Sequence, residues 1–437
     1  MPNEVVREML GKFWLRFVVA ALFVLAVFPD PAGAVAQRPG RTPVVLFPAF
    51  HLSKLAVTVD RRAAVPGCPR SGSFEDWYLN DRPGTAFSQV CRDRLLTLRY
   101  DARSSRPMAT RFSDVPGVHV RLLDYGRTSS APFYEPLYRA LEAHGYVRNA
   151  DIRVAGYDSR LTPDMGGFLK RTRRLVETAY RDSGNRPVHL IGHSNGPLYA
   201  QYLLTHTTRA WRDRYIHGFT SVAGNMPGQG LLYSTLFTGL NVQDFGYPTT
   251  RENAESSARM YLSAPSSYMS ASDPAVLGDR EVVVRDDSTG RGYTPRDYPK
   301  LFADAGLPVA KEIADHYIGF VKFTGPRSFP YVDVHAEKGS GLRTIVGARL
   351  ARLTPGQLTD DSRFLYRDGD SNQEDLTNEA VGVWRAMPCH RFDLTDNPGV
   401  DHFSLPGNRA VLERLLTHLR VPRSACAPAS MSPRSAR

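Results

Sequence analysis

Gly192-His193-Ser194-Asn195-Gly196 spells G-x-S-x-G, a serine flanked two positions out on each side by residues without side chains. The apolar run Pro187 to Ile191 precedes it, and 196–206 follows with apolar residues at helical spacing. In such a strand–turn–helix setting the turn is so tight that only glycine fits beside it, and the serine hydroxyl is pushed out above the sheet. The new helix aims its N–H groups and positive dipole end at the same point, which favours an anion there. A serine hydroxyl is a poor nucleophile at neutral pH. It needs a base to remove its proton and a carboxylate to orient that base.

In this setting the acid and then the histidine follow the serine in chain order. Tyr366-Arg367-Asp368-Gly369-Asp370 closes a late strand-like run and offers two acids, of which Asp370 is preferred over Asp368. Gly399-Val400-Asp401-His402 leads into the last helical segment, and that place in the order singles out His402 among 12 histidines. Asp401 is its neighbour in an extended loop, so it points elsewhere and reads as surface charge. Attack on an ester carbonyl builds charge on oxygen that two backbone N–H groups must hold. Asn195, after the nucleophile, supplies one. The loop after the first strand, Pro48 to His51, supplies the other, and Phe50 is the choice.

These residues need a frame. The runs 43–47, 117–124, 151–157, 187–192 and 215–221 read as strands, and 133–144, 166–183 and 196–206 read as helices from their apolar periodicity. Alternating strands and helices predict an α/β fold with a mostly parallel central sheet and helices on both faces. Residues 224–330 break into Ser-, Tyr- and Pro-rich segments with short helices at 296–306 and 308–323, the pattern of an inserted cap. The core resumes at 332–335 and 364–366 and closes with a helix at 407–420. The expected organisation is therefore a leader, 1–36; a first core part, 37–223; a cap, 224–330; a second core part, 331–426; and a frayed tail, 427–437.

The leader reading rests on Arg7, Lys12 and Arg16, then the uncharged run Phe17 to Phe28, then the small residues Ala34-Val35-Ala36. The run is shorter than the ~20 residues a spanning helix needs, so it reads as a cleaved export signal. Four cysteines, Cys68, Cys91, Cys389 and Cys426, make an even set that an oxidising compartment would pair. Three connectivities are possible, and Cys68–Cys91 with Cys389–Cys426 is preferred. None has metal-ligand spacing, so no metal is expected. At 42% hydrophobic and 23% charged, the chain is neither disordered nor fibrous. Its net charge of +11 comes from arginines interspersed with acids, which reads as a solvated surface, and no nucleic-acid partner is expected.

The segment PVHLIGHSNGPLYAQYLLTHTTRAWRDRYIHGFTSVAG resembles the nucleophile region of the lecithin:cholesterol acyltransferase family along its whole length. Gly156-Tyr157-Asp158-Ser159-Arg160-Leu161 is similar to the family's Tyr-Asp-Trp-Arg-Leu element, with Ser159 in place of Trp. Tyr293 to Tyr298 and Leu301 to Asp304 resemble part of its cap. Asp368-Gly369-Asp370 followed by Trp384, and Gly399 to His402, fall where the family carries its acid and histidine. Residues 68–91 around Trp77 resemble a disulfide-closed lid that touches lipid. The chain departs from the family at Pro48-Ala49, at Gly224-Asn225-Met226-Pro227-Gly228-Gln229-Gly230 and at Ser371-Asn372.

The resemblance implies an α/β-hydrolase fold with an inserted cap and a small lid, and an acyl-enzyme mechanism on glycerophospholipid esters. Ser194 would attack, His402 would carry the proton and Asp370 would hold the imidazole. The acyl group would pass to water or to an alcohol such as a sterol or lipid. No cofactor is implied. Trp77, Leu231, Leu232 and Phe237 would line the lipid groove, with Phe87, Phe133 and Tyr233 as further candidates. The expected partner is a phospholipid membrane or lipoprotein-like surface, met outside the cell or in a lysosome-like compartment. A carboxylesterase or triacylglycerol lipase shares this chemistry, and an inactive lipid-binding protein is the non-enzymatic alternative.

Overall fold

The computed structural model describes residues 40–76, 87–240 and 250–424. The leader 1–36, Trp77, Cys426 and the tail lie outside them. Six strands form one parallel sheet in the order Phe392–Pro398, Val334–Ser340, Ile216–Val222, Val188–His193, Val44–Phe47, Ile152–Val154. The central ones are buried on consecutive residues because both faces are covered: all of Val44–Phe47 and all of Val188–His193 are buried.

Successive side chains point to opposite faces and so enter different cores. Val44, Leu46, Ile152, Val154 and Ile191 pack with Leu137 and Leu141 of helix Glu135–Ala143 and Leu415 of helix Arg409–His418. Val45, Phe47 and Leu190 pack on the other side with Phe168 and Val176 of helix Phe168–Asp182 and Leu203 of helix Gly196–Thr205. Each such side chain contributes roughly 1.5–3 kcal/mol. Helix Phe168–Asp182 buries Phe168, Thr172, Leu175, Val176 and Ala179, one stripe at helical period, while Lys170, Arg173 and Arg174 stay exposed. The last helix starts where Asn408 accepts from the amides of Ala410 and Val411.

Two expected core strands lie elsewhere. Val118–Leu122 pairs antiparallel with Leu55–Val59, which pairs with Gly72–Asp76, in a separate three-stranded sheet. Its exposed His119 and Arg121 alternate with less exposed residues, a pattern that suits one wet face and not the doubly covered sheet. Phe364–Gly369 joins a four-stranded sheet with Leu342–Leu350, Val284–Asp286 and Arg291–Tyr293, so strands from either side of residue 330 share one layer.

Helix Gln89–Leu96 is tied down twice. The Cys68–Cys91 disulfide closes a loop of 23 residues, worth about 3 kcal/mol in a chain-entropy account. On its other side Arg94 pairs with Glu252 at 2.8 Å and Asp93 accepts from Ser256 at 3.0 Å, both on helix Arg251–Ser263. Cys389 is disulfide-bonded as well. Among the described residues no helix is long and apolar enough to cross a membrane.

Candidate active site

Strand Val188–His193 runs directly into Ser194, whose φ of +58° is the left-handed turn that the flanking glycines permit. A Cβ on Gly196 would lie 2.1 Å from the Phe47 carbonyl oxygen, and one on Gly192 would lie 2.8 Å from the Pro197 nitrogen. The close approach of the helix to the first strand therefore depends on both glycines. Ser194 is pinned through its backbone: its N–H donates to Val222 O at 3.0 Å, and its carbonyl accepts from Asn225 N–H at 2.8 Å.

The loop after the first strand meets this turn. Ala49 N–H donates to the Tyr134 hydroxyl at 2.7 Å, His51 N–H to Ser159 Oγ at 2.7 Å, and Leu52 N–H to Ala49 O at 3.1 Å. Pro48 has no N–H. Among the described residues that leaves the Phe50 amide, and across the pocket the Asn195 amide, without a hydrogen-bond acceptor. These are the two N–H groups expected from the sequence. Ser159 thus anchors the loop that carries one of them.

Strand Phe364–Gly369 delivers Asp370 into the interior, although it belongs to the smaller sheet. Asp370 Oδ1 accepts from the amides of Asn372 and Gln373 at 3.1 and 2.7 Å, and Oδ2 lies 2.9 Å from His402 Nδ1. His402 N–H donates to Asp370 O at 2.7 Å, so backbone and ring are held by one residue. Both side chains are completely buried. With Nδ1–H donated to the carboxylate, Nε2 carries the lone pair, and among the described residues it has no hydrogen-bond partner. Asp368 is exposed two residues earlier and faces Arg343 in the strand register. Asp401 caps its own turn, accepting from Phe403 and Ser404 N–H at 3.1 Å each.

His193, inside the serine motif, has a role that only the fold reveals. Tyr134 already accepts from Ala49, so its O–H donates to His193 Nδ1 at 2.9 Å, and His193 Nε2–H donates to His402 O at 3.0 Å. One neutral imidazole thereby links the loop of Phe50, the serine turn and the histidine loop. Burial, and next the proximity of His402, push its pKa far below the usual histidine range, in keeping with a neutral ring.

Ser194 opens into a small pocket lined by the apolar Phe50, Leu232 and Phe403 and the polar Asn225 and Gln229. Leu232 is the lipid-groove candidate that lines it. Leu231 and Phe237, on the same helix Leu231–Thr238, are buried in the main core and do not line the pocket. Phe133 stacks on His193, and Phe87 packs on Phe74. His335, Asp393 and His418 form the group among the described residues able to ligate a cation, with donor atoms within 4.8 Å. His335 and Asp393 sit near the starts of strands Val334–Ser340 and Phe392–Pro398, at the end of the sheet away from Ser194, and His418 ends helix Arg409–His418.

The parallel sheet, the serine elbow at the C-terminal end of an internal strand and the late acid and histidine loops make this an α/β-hydrolase fold. The family model for lecithin:cholesterol acyltransferase matches residues 108–291. The chain is 28% identical over 417 residues to the human "Lysosomal phospholipase A and acyltransferase", covering 92% of this chain and 94% of that one. It is 28% identical over 318 residues to human phosphatidylcholine-sterol acyltransferase, covering 69% and 68%. A rice protein, "Lecithin-cholesterol acyltransferase-like 1", is 26% identical over 403 residues, covering 88% of each. Through the serine elbow and over nearly the whole of the human lysosomal protein, the chain is thus similar to the lecithin:cholesterol acyltransferase family.

Proposed function

We propose that this chain is a serine-dependent phospholipase A or O-acyltransferase that takes an acyl group from a glycerophospholipid and passes it to water or to an alcohol. The observation that carries the reading is the buried Asp370–His402 hydrogen bond of 2.9 Å, which leaves Nε2 free while Phe403, the next residue, lines the same pocket as Ser194. His402 Nε2 takes the Ser194 hydroxyl proton as Oγ bonds to the acyl carbon, and then gives it to the leaving lysophospholipid oxygen. Asp370 keeps the imidazole in the right tautomer and steadies its charge. The Phe50 and Asn195 amides receive the developing oxyanion, each such donor being worth about 2.7–4 kcal/mol. A hydroxyl from water or alcohol then reverses the sequence and frees Ser194.

The names of the human relatives, a phospholipase A and acyltransferase and a phosphatidylcholine-sterol acyltransferase, support lipid esters as substrates. The order of basic, apolar and small residues in 1–36 supports export, and a net charge of +11 favours approach to anionic lipid. The test is incubation of residues 37–437 with phosphatidylcholine liposomes holding a long-chain alcohol, beside Ser194→Ala, with products read by mass spectrometry. Fatty acid or alkyl ester made only by the wild type is expected. Equal turnover by the variant removes Ser194 from the reaction. Turnover of triacylglycerol or simple esters alone reassigns the chain as a lipase or carboxylesterase.

A further inference from the structure

We infer that His335, Asp393 and His418 form a binding site for a zinc-type divalent cation, which clips together the two ends of the segment that carries His402. The donor atoms of all three lie within 4.8 Å of one another. His335 and Asp393 are register partners on the parallel strands Val334–Ser340 and Phe392–Pro398, and His418 is the last residue of helix Arg409–His418. That helix follows the His402 loop, so Asp393 and His418 bracket the loop. Ligands spread over 335, 393 and 418 carry no motif, which is why spacing along the chain points to no metal.

The arrangement is more than a hydrogen-bonded pair. Asp393 Oδ2 accepts from His335 Nδ1, while His418 Nε2 lies 3.9 Å from the same oxygen, beyond hydrogen-bond reach. The two imidazole rings stack with centroids 3.3 Å apart and planes 12° from parallel, and both present a nitrogen to that carboxylate. Three ligands on one zinc ion, at bonds of about 2.0–2.2 Å in tetrahedral geometry, stand roughly 3.3 Å apart. The His418 contact of 3.9 Å must therefore close by about 0.6 Å and the His335 contact must open, small movements for a side chain at a helix end and a half-exposed carboxylate.

The donor set selects the class of ion. Two imidazoles and one carboxylate suit Zn²⁺, whereas Ca²⁺ and Mg²⁺ take oxygen ligands. On binding, His335 turns the Nδ1 lone pair to the ion and carries its proton on Nε2 instead, and Asp393 brings the negative charge. The exposed side of Asp393 leaves the fourth position to water. Arg391 and Arg414, positive charges felt at His418, are committed to Asp333 at 2.7 Å and to Glu337 at 2.6 Å. A metal clip between two points of one chain stabilises the fold by shrinking the unfolded ensemble, and here the closed loop holds His402. His335 and Asp393 lie at the end of the sheet away from Ser194, so the ion acts on stability and takes no part in the ester chemistry.

The test is zinc binding by tag-free residues 37–437 stripped with a chelator. Titration calorimetry is expected to show about one Zn²⁺ per chain, and the Tm to rise by about 3 °C at a hundredfold excess over Kd. His418→Gln and Asp393→Asn, both at partly exposed positions, should each weaken binding by at least about tenfold and cancel the rise. Cu²⁺ loaded in place of Zn²⁺ should show, by electron paramagnetic resonance, nitrogen hyperfine structure from two imidazoles in the wild type and from one in His418→Gln. No binding by the wild type overturns the proposal. So does binding that both folded variants keep, because the ion then sits elsewhere. A copper spectrum of the wild type without two imidazole nitrogens overturns it even where a variant fails to fold. A Tm raised equally by Ca²⁺ or Mg²⁺ overturns the zinc-type assignment. None of these readouts involves lipid or Ser194, so they stand apart from the acyl-serine reading.

Discussion

Glu374→Gln should remove a loss of stability on raising the pH that is built in beside Gly230. Glu374 is completely buried four residues beyond Asp370, and its Oε1 accepts from Gly230 N–H at 3.1 Å. Its Oε2 and both oxygens of buried Glu281 lack hydrogen-bond donors among the described residues, although Arg367 lies 2.9 Å from Glu281. Two buried carboxyls cannot both ionise face to face. The arrangement is satisfied if Glu374 keeps its proton and donates it to the Glu281 carboxylate. Burial, and then the Glu281 charge, push the Glu374 pKa far up, and burial pushes Glu281 up as well. A carboxyl raised in the fold lends stability that is intact below its unfolded pKa and is lost as pH rises toward the folded value. The fold must hold a proton that the unfolded chain releases. One such proton costs ~1.36 kcal/mol per pH unit, so about 2.7 kcal/mol is lost between pH 5.5 and 7.5, within a total of roughly 5–15 kcal/mol. Glutamine keeps the volume, still accepts from Gly230 and donates to Glu281 without titrating. Urea unfolding of both proteins at the two pH values measures the effect. The gap in favour of the glutamine should widen by about 2–3 kcal/mol from pH 5.5 to pH 7.5. Asp93, raised by burial to about 7, adds its slope to both proteins and cancels in the comparison. Parallel pH profiles would refute the shared proton.

Ser194→Ala should abolish fluorophosphonate labelling while the folded protein survives, and residual labelling would point to another nucleophile. Asp370→Asn should lower turnover by up to ~10⁴-fold by disturbing the imidazole tautomer, whereas Asp368→Asn should change it by less than about twofold; the reverse ranking would move the acid. Gly196→Ala should fail to give soluble enzyme or lose activity outright, because its Cβ meets the Phe47 carbonyl at 2.1 Å, and a fully active, stable variant would contradict the elbow geometry. On the acid side, burial lowers the pKa of His189 and His217 and holds His418 down to about 4. A histidine lowered in the fold costs stability as pH falls below its unfolded value, since the unfolded chain takes the proton first, so in Glu374→Gln, which lacks the opposing Glu374 slope, the Tm should fall between pH 6.5 and 4.5. A flat Tm over that range would argue against the buried neutral histidines.

How much of this was legible in the chain depended on how local each cause is. The strand at 44–47, the strand at 188–193, the helices at 168–182 and 196–205 and the serine motif are written in contiguous periodicity and in two glycines whose necessity is steric. The acid and histidine candidates could be named from their order after the serine elbow, an order that the fold type sets and the chemistry does not. Strand partners could not. Val118–Leu122 and Phe364–Gly369 read correctly as strands, yet which sheet they join depends on partners such as Leu55–Val59 and Leu342–Leu350, chosen by whether one face or two are covered.

The sequence by itself named the candidate reacting groups, since residue type limits what can serve as nucleophile, base and acid, and it marked the turn by missing side chains. Only the tertiary structure decided what those groups face. It placed His193 between Tyr134, 59 residues back, and His402, 209 residues on, and it set Glu374 against Glu281. It also turned Asn225 and Gln229 into the wall of the pocket. No periodicity encodes such meetings, because a hydrogen bond between distant residues exists only after the layers have packed and excluded water from between them.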